Sequence, residues 1–469
     1  MVAPDYSLLD RETVHVDVGE HRGPVELWRH TLGVGGINTS PLPPRVVAGA
    51  AALRPRLVRI FMQQFFDIYP EHGRFDWSRL DPYMDSLAAT GAKVVAAICL
   101  KPGPLFDQVD HAAWMPNDVG EWQRVVSALV RRYSVERDLV THWEIGNETD
   151  IGEDGGSPYL IPDPDDYAAF YHLTAPVIRA AAPHVKVGGT AACWVSNEPL
   201  PGFVAHCRKN DVPLDFVSWH IYNDDWSRHA AGVVEGGRLV ADFPEPRPEL
   251  MVTEWSTSFE AVSVVEQAYD PRRAALVAAS ILAMEAASDT ASPVWSFYYH
   301  LWDQVCDPDE FAPFFSAKGV EHMLRHWNEV PHRFGLFGER GDVRPQYFVY
   351  QLLGMLGDTQ VGHEVSNGDL HAYAATGPGS VSALVVNTNL DRAACRDRII
   401  TLRYSGLVPG PKKLTLYRID DDRRWCPDTL AQQPLEERVV ATGDRFEHQI
   451  LLPAHTVALA TLSERDGIR

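Results

Sequence analysis

An α/β fold, in which a (β/α)8 barrel is followed by a C-terminal antiparallel β-sandwich, is predicted by three features of the sequence. Between about residues 28 and 300, short apolar runs alternate with longer amphipathic segments. Eight such runs occur, the number that closes a barrel of parallel strands wrapped by helices. From about residue 358 the texture changes to short alternating strands split by turns, as in a sandwich of roughly a hundred residues.

Taken in order, residues 1–20 contain VHVDV, an alternating run that would add a strand to the sandwich before the barrel begins. The barrel, residues 21–357, starts with LWRHTLGVGG and continues with LVRIFM (Leu57 to Met62), KVVAAICL (Lys93 to Leu100) and LVTHWEIG (Leu139 to Gly146). VKVGGT (Val185 to Thr190), DFVSWHIY (Asp215 to Tyr222), LMVTEW (Leu250 to Trp255) and PVWSFYY (Pro293 to Tyr299) complete it. LDPYMDSLAATG, EWQRVVSALVRRY, YAAFYHLTAPVIRAAA and RRAALVAASILAMEAA supply helical periodicity between strands. Residues 358–469 form the sandwich, with LHAYAAT, SVSALVVNTN, RIITLRYSG, KKLTLYRID and TVALATL as its strands.

The bulk composition excludes whole classes of function. A formal charge of −21 repels phosphate backbones and anionic lipid, so neither nucleic acid nor membrane is an expected partner. No basic stretch followed by an apolar one opens the chain, and no apolar run reaches about 18 residues, so a cytoplasmic protein is expected. The six cysteines (Cys99, Cys193, Cys207, Cys306, Cys395, Cys426) are isolated, which reads as buried free thiols in a reducing compartment.

In a barrel of this kind the C-terminal ends of the strands face substrate. Glu148 stands at or just beyond the end of the fourth strand, in WEIGNE, and Glu254 at the end of the seventh, in VTEW. Two carboxylates across one barrel mouth suit glycoside hydrolysis, where one protonates the leaving oxygen and the other attacks the anomeric carbon. A lone strand-end Glu is more often a salt-bridge partner, but its company here changes the weighing. Asn147 can hold a sugar 2-hydroxyl, and Tyr222 can donate a hydrogen bond to the nucleophile. His220 ends the sixth strand beside it, and Trp295 on the eighth offers an apolar face to a sugar ring. Arg59 on the second strand supplies a fixed positive charge for Glu254. Glu144, on the same face as Glu148, reads as a structural carboxylate paired with a cation.

The ordered set FFDIYPEHGRFDWSRLDPYMDSL, WEIGNE, VKVGGTA, PLDFVSWHIYN, VTEWSTS and FGLFGERGDVRPQYFVYQLLGMLG resembles glycoside hydrolase family 39, of the clan of barrels with catalytic Glu on strands four and seven. The likeness runs over most of the chain. It implies a retaining exo-glycosidase with Glu148 as acid/base and Glu254 as nucleophile, and substrate contacts at Asn147, His220, Tyr222 and Trp295. Relatives include β-xylosidases, α-L-iduronidases and enzymes of arabinose- or galactose-containing glycans. An oligosaccharide or glycoside is thus the expected partner, and a homo-oligomer is compatible with the fold.

Three departures bear on the sugar. The family's Arg-x-His on strand two is Arg59-Ile60-Phe61 here, and Gly146 stands where relatives carry Trp. After the eighth strand, FYYHLWDQ places Trp302 and Asp303 where xyloside-cleaving relatives carry acidic residues, and Asp303 is a candidate for binding a sugar hydroxyl. Rival readings are an arabinofuranosidase-type member of the same clan, a silent carbohydrate-binding barrel and a metal-dependent barrel enzyme.

No cofactor or metal is expected. His322 and His326 are spaced i, i+4 but lack the Glu of HExxH, and a loop over the site with His or Trp327 toward the leaving group is the preferred reading. The Gly-Gly pairs lack a dinucleotide fingerprint, and Cys99 reads as buried and inert.

Overall fold

A computed structural model of the chain describes residues 9–35, 39–107, 109–258, 268–288, 292–329, 333–422 and 429–464. Among them, the first strand is β1 (Asp10–Pro24), followed by the barrel strands β2 (His30–Gly33), β3 (Leu57–Gln63), β4 (Lys93–Cys99) and β5 (Val140–Ile145). The ring continues with β6 (Lys186–Ala192), β7 (Phe216–Tyr222), β8 (Glu249–Ser256) and β9 (Val294–Tyr299), and β9 pairs in parallel with β2 to close it. Each of the eight apolar runs therefore becomes a barrel strand.

Helices α1 (Pro44–Ala52), α2 (Leu80–Ala88), α3 (Val119–Val130), α4 (Pro164–Ala181), α5 (Leu200–Lys209), α6 (Trp226–Val240) and α7 (Pro271–Ala287) follow the first seven barrel strands in turn. Four of them start on an Asp whose side chain accepts from the first-turn backbone: Asp118, Asp163, Asp225 and Asp270. Those carboxylates satisfy donors that a helix cannot pair internally. After β9 come the short helices α8 (Pro308–Phe311) and α9 (Ala317–Leu324), then α10 (Pro345–Leu353) against the barrel. Among the described residues, no helix is long and apolar enough to cross a membrane.

The remaining strands are β10 (Thr359–Val365), β11 (Leu370–Gly377), β12 (Ser380–Asn387), β13 (Arg398–Ser405), β14 (Gly410–Ile419), β15 (Glu436–Thr442), β16 (Phe446–Leu452) and β17 (Thr456–Glu464). They hydrogen-bond in the order β15-β14-β17-β12-β11-β10-β1-β13-β16, wrapped around a core of their own that includes Val14, Val16, Leu384's neighbour Val385, Leu402 and Leu414. Every pairing is antiparallel except β1 with β13. The VHVDV run thus lies inside this sheet, between β10 and β13, while residues 1–8 of the leading segment lie outside the described ones.

The pleat decides what reaches the barrel bore, since alternate residues of a strand face opposite sides. On β3, Val58, Ile60 and Met62 join the core under the helices, whereas Leu57 and Phe61 join clusters inside the barrel, with Arg59 between them. The bore is consequently layered. Leu57, Val95, Phe216, Met251, Trp295 and Phe297 form an apolar layer at the N-terminal end. Phe61, Ala97, Cys99 and Tyr299 form one toward the C-terminal end.

Candidate active site

Charges occupy the bore between those two layers, and burial forces them to pair. Arg59 is 1% exposed and Glu144 is fully buried. Arg59 Nε lies 2.8 Å and its Nη2 2.6 Å from Glu144 Oε2, its Nη1 is 2.6 Å from Glu254 Oε1, and Nη2 also donates to Asn147 Oδ1 at 2.6 Å. Burial alone would lower the guanidinium pKa, but the two carboxylates outweigh it and raise it. One cation therefore orients the acid of β8, the amide after β5 and the structural carboxylate that anchors them.

Glu254 reaches the bore because β8 carries an extra residue. Trp219 pairs with Val252 but His220 pairs with Glu254, so Thr253 is left over and the alternation shifts by one. Glu254 turns inward, and Trp255 turns outward against His229 and Tyr298. Its second oxygen, Oε2, accepts from the Tyr222 hydroxyl at 2.6 Å. Both oxygens of this carboxylate are thus held by donors, which aims it.

Glu148 reaches the same place by a bent backbone. Gly146 has φ +88° and Glu148 itself φ +42°, the left-handed region that costs a side-chain-bearing residue strain. The bend is pinned by Glu148 N–H donating to Ala191 O at 2.8 Å, and by the amides of Ile151 and Gly152 donating back to Glu148 O. A Cβ on Gly146 would stand 2.8 Å from Thr149 Cγ2, so the absence of a side chain here is a requirement of this turn. Gly155 meets the same limit, since its Cβ would fall 2.1 Å from Glu148 Oε2.

Glu148 Oε1 lies 2.7 Å from His220 Nδ1, and His220 Nε2 lies 3.8 Å from Glu254 Oε1. Burial, reinforced by the nearby charge of Asp150, pushes the Glu148 carboxyl up to about 8. Burial also lowers the pKa of His220, so the pair is a neutral imidazole beside a carboxyl that keeps its proton at neutral pH. An oxygen of Glu148, a nitrogen of His220 and an oxygen of Glu254 all lie within 4.8 Å of one another. That spacing would also suit a metal ion, but the Arg59 guanidinium already occupies one oxygen of Glu254.

These groups open into a cavity of about 300 Å³ lined by Glu148, Glu254, Asn147 and Tyr222, with Phe61, Gln63, Cys193 and Tyr299. His322, Met323, His326 and Trp327, from α9 and the turn after it, cover one side. No Lys or Arg is among the described residues that line it. His322 and His326 stand with ring centroids 4.3 Å apart at the rim near Asp154.

Of the residues singled out from the sequence, Glu148, Glu254, Asn147, His220, Tyr222 and Arg59 come together here, with Arg59 beneath the cavity. Two do not. Trp295 sits near the start of β9, packed at 5.2 Å against Trp28 in the apolar layer at the far end of the bore, so it cannot stack on a sugar at the mouth. The residue of that strand that does line the cavity is Tyr299, four positions on and on the same face. Asp303 is 3% exposed and lies outside the cavity lining. It accepts from Gly335 N at 2.8 Å, bonds His300 Nε2 at 2.7 Å and pairs with Arg344, so it ties down the segment behind the site. Burial would raise its pKa, but these partners hold it well below the usual carboxylate range. Trp302 likewise lies away from the cavity, its Nε1 donating to Glu339 O at 3.3 Å.

Gln63, Cys193 and Asp150 were not anticipated. Gln63 is two residues beyond Phe61 on an inward-facing alternation, a signal the sequence did contain. Cys193 and Asp150 meet only because Cys193 N donates to Asp150 Oδ2 at 3.1 Å, a contact between two loops.

A family model described as Glycosyl hydrolases family 39 matches residues 70–433. The chain belongs to this family. A curated β-xylosidase of Geobacillus stearothermophilus is 26% identical over 52% of the chain, and that match spans about half (47%) of the relative's own length. A β-xylosidase of Caldicellulosiruptor saccharolyticus is 22% identical over 78% of the chain and 76% of its own. Among solved structures, a glucosidase from Croceicoccus marinus superposes with TM-score 0.72 at 19% identity, covering 97% of this chain and 99% of that one. The family 39 enzyme of Xanthomonas axonopodis pv. citri gives 0.71 at 20% identity, covering 99% and 100%. At such identities the superpositions establish the barrel-plus-sandwich fold, and the family match establishes a glycoside hydrolase.

Proposed function

We propose that this family 39 protein is a retaining exo-glycosidase acting on a neutral, non-reducing-end sugar by double displacement. The observation that carries the reading is the closeness of the Glu148 and Glu254 oxygens, within 4.8 Å of each other together with His220. Retaining glycosidases hold their carboxyl groups about 5–5.5 Å apart, whereas inverting ones leave about 6.5–9.5 Å for a water. A bound sugar carbon would stand between the two, too close to Glu254 for a water to intervene on that side.

Roles follow from environment. Glu254, aimed by Arg59 and Tyr222, attacks the anomeric carbon while Glu148 gives its proton to the leaving oxygen. The resulting glycosyl ester is released when Glu148, now ionised, takes a proton from an incoming water. Asn147 is turned by Arg59 so that its oxygen is occupied, and its Nδ2, 3.5 Å from Gly155 O, has a weak partner only. That leaves the amide donor for a sugar 2-hydroxyl, a bond that strengthens in the transition state.

A small cavity capped by α9 and Trp327 supports exo action over a long open cleft. Without Lys or Arg among the described residues of its lining, and with Asp154 at the rim, it disfavours a uronic acid carboxylate. The names of the two relatives, both β-xylosidases, favour a pentose among neutral sugars. The test is hydrolysis of aryl xylosides, arabinosides, galactosides and glucosides with the first-formed anomer followed by NMR. Release of the substrate's own anomer, unaffected by a chelator, is expected; the opposite anomer would overturn the mechanism. An enzyme inert on all of these sugars would return the reading to a silent carbohydrate-binding barrel.

A further inference from the structure

The side of the cavity built by β3 and β9 is chemically unlike the side that holds the carboxylates. Phe61 and Tyr299 meet edge to face with centroids 6.4 Å apart, and Tyr299 meets Trp327 in the same way at 6.1 Å. Tyr222 closes the cluster, 6.2 Å from Tyr299. Into this aromatic wall is set one carboxamide, that of Gln63. It is 6% exposed, it lines the cavity, and its Oε1 has no hydrogen-bond partner among the described residues.

A buried carbonyl oxygen left without a donor is costly, and native proteins seldom tolerate one where nothing will satisfy it. The pleat puts Gln63 last in the inward series Leu57, Arg59, Phe61, Gln63, so it belongs to the layer nearest the mouth. Arg59, two layers deeper, is spent on Glu144, Glu254 and Asn147 and cannot supply the missing donor. A sugar hydroxyl can, because it donates and accepts at once. Ligand sites of this type are commonly apolar walls with a few placed polar groups that fix orientation.

Building on the glycosidase reading, we propose that Gln63 is a specificity-determining residue, hydrogen-bonding one ring hydroxyl of the sugar held between Glu148 and Glu254 while Phe61, Tyr299 and Trp327 cover a C–H-rich face of that sugar. The substrate class is then a neutral sugar with a hydroxyl at the ring position facing β3 and little polar bulk beside it. An analogue lacking that hydroxyl would leave the Gln63 oxygen unpaired and be rejected for that reason.

The experiment compares wild type with Gln63→Leu on the best aryl glycoside and on its 3-deoxy and 4-deoxy counterparts, with thermal unfolding to confirm that the variant folds. Gln63→Met replaces it should the branched side chain not be accommodated. Loss of one hydrogen bond predicts that the variant loses about tenfold or more in kcat/KM on the parent. It should lose nothing further on one of the two deoxy sugars, which wild type should discriminate against by a similar factor. A variant within twofold of wild type on the parent, or equally impaired on the parent and both deoxy sugars, overturns the proposal. Should wild type cleave no neutral aryl glycoside, the glycosidase reading fails by itself. Calorimetry with iminosugars shaped like neutral pentoses and hexoses then decides the role of Gln63: tenfold weaker binding by the variant supports it, and equal binding overturns it.

Discussion

The two ends of the barrel bore are built from similar side chains and do opposite things. At the N-terminal end Trp28 and Trp295 pack edge to face, with the Arg56 guanidinium 3.6 Å from the Trp28 ring centroid, and Glu249 at the start of β8 is tied to Lys186 at 2.7 Å. At the C-terminal end aromatic rings surround Glu254 and Glu148, and Arg59 sits under both Glu254 and Asn147. Aromatic and cationic residues are common to the two ends; carboxylates that converge on a cavity are not. Chemistry follows position along a strand more closely than residue type.

The comparison breaks most visibly if the upper carboxylates are removed. Glu254→Ala should cut kcat by about 10⁴-fold or more, as loss of a covalent nucleophile does. Azide should then restore turnover only as the glycosyl azide of inverted configuration, read by NMR; a retained azide would place the nucleophile elsewhere. Glu148→Ala should cost about 10²- to 10⁴-fold on substrates with poor leaving groups and much less on activated aryl ones. With the Glu148 carboxyl raised to about 8, the acid is present below that pH, and the activity limb should fall as pH rises through it. The sign for stability is the same. A carboxyl whose folded pKa exceeds its unfolded value near 4.5 contributes fully below the latter, and that contribution is lost as pH rises through about 8. Glu148→Gln should therefore gain stability relative to wild type at alkaline pH, measured by urea unfolding across that range.

Arg59 joins structure to chemistry. Arg59→Met strands two buried carboxylates, Glu144 and Glu254, and should cost about 3–5 kcal/mol in unfolding free energy as well as activity. Trp295→Ala should cost a similar ~3–5 kcal/mol through the cavity it leaves, yet alter kcat/KM of the folded enzyme by less than about threefold. A large, selective loss of kcat/KM in that variant would mean that the far end of the bore communicates with the site.

Much of this was legible in the sequence because it depends on local pattern. All eight barrel strands announce themselves as apolar runs, and Glu148 and Glu254 stand at strand tips where the fold puts substrate. What was missed depends on geometry between segments. Trp295 was chosen for its chemistry, although it begins its strand and Tyr299 ends it. The inward turn of Glu254 rests on the leftover Thr253 of β8, invisible without a neighbouring strand to count against. Asp303 looked available because its partner Arg344 lies 41 residues on, in a segment with no mark of pairing. In the C-terminal sheet β10, β15 and β16 escaped notice, and the last two are the edges of the sheet. The edge sequences, EERVVAT and FEHQILL, carry the charges with which exposed edges are protected, and these blur the alternation.

The smallest expected effect also tests why the upper end behaves as it does. Glu148 owes its raised pKa first to burial and second to the charge of Asp150. Asp150 is held by Cys193 N at 3.1 Å and Asn197 Nδ2 at 3.1 Å, so its position is fixed from the β6–α5 loop. Asp150→Asn keeps an oxygen for the Cys193 amide and removes the negative charge. The alkaline limb of kcat/KM should then move to lower pH while staying above the ordinary carboxylate range, because burial, the larger cause, is untouched. Rates well below the limb should change little, since the acid is protonated there in both proteins. If the limb stayed where it was, the field of Asp150 would not reach Glu148, and burial alone would account for the proton that the acid keeps.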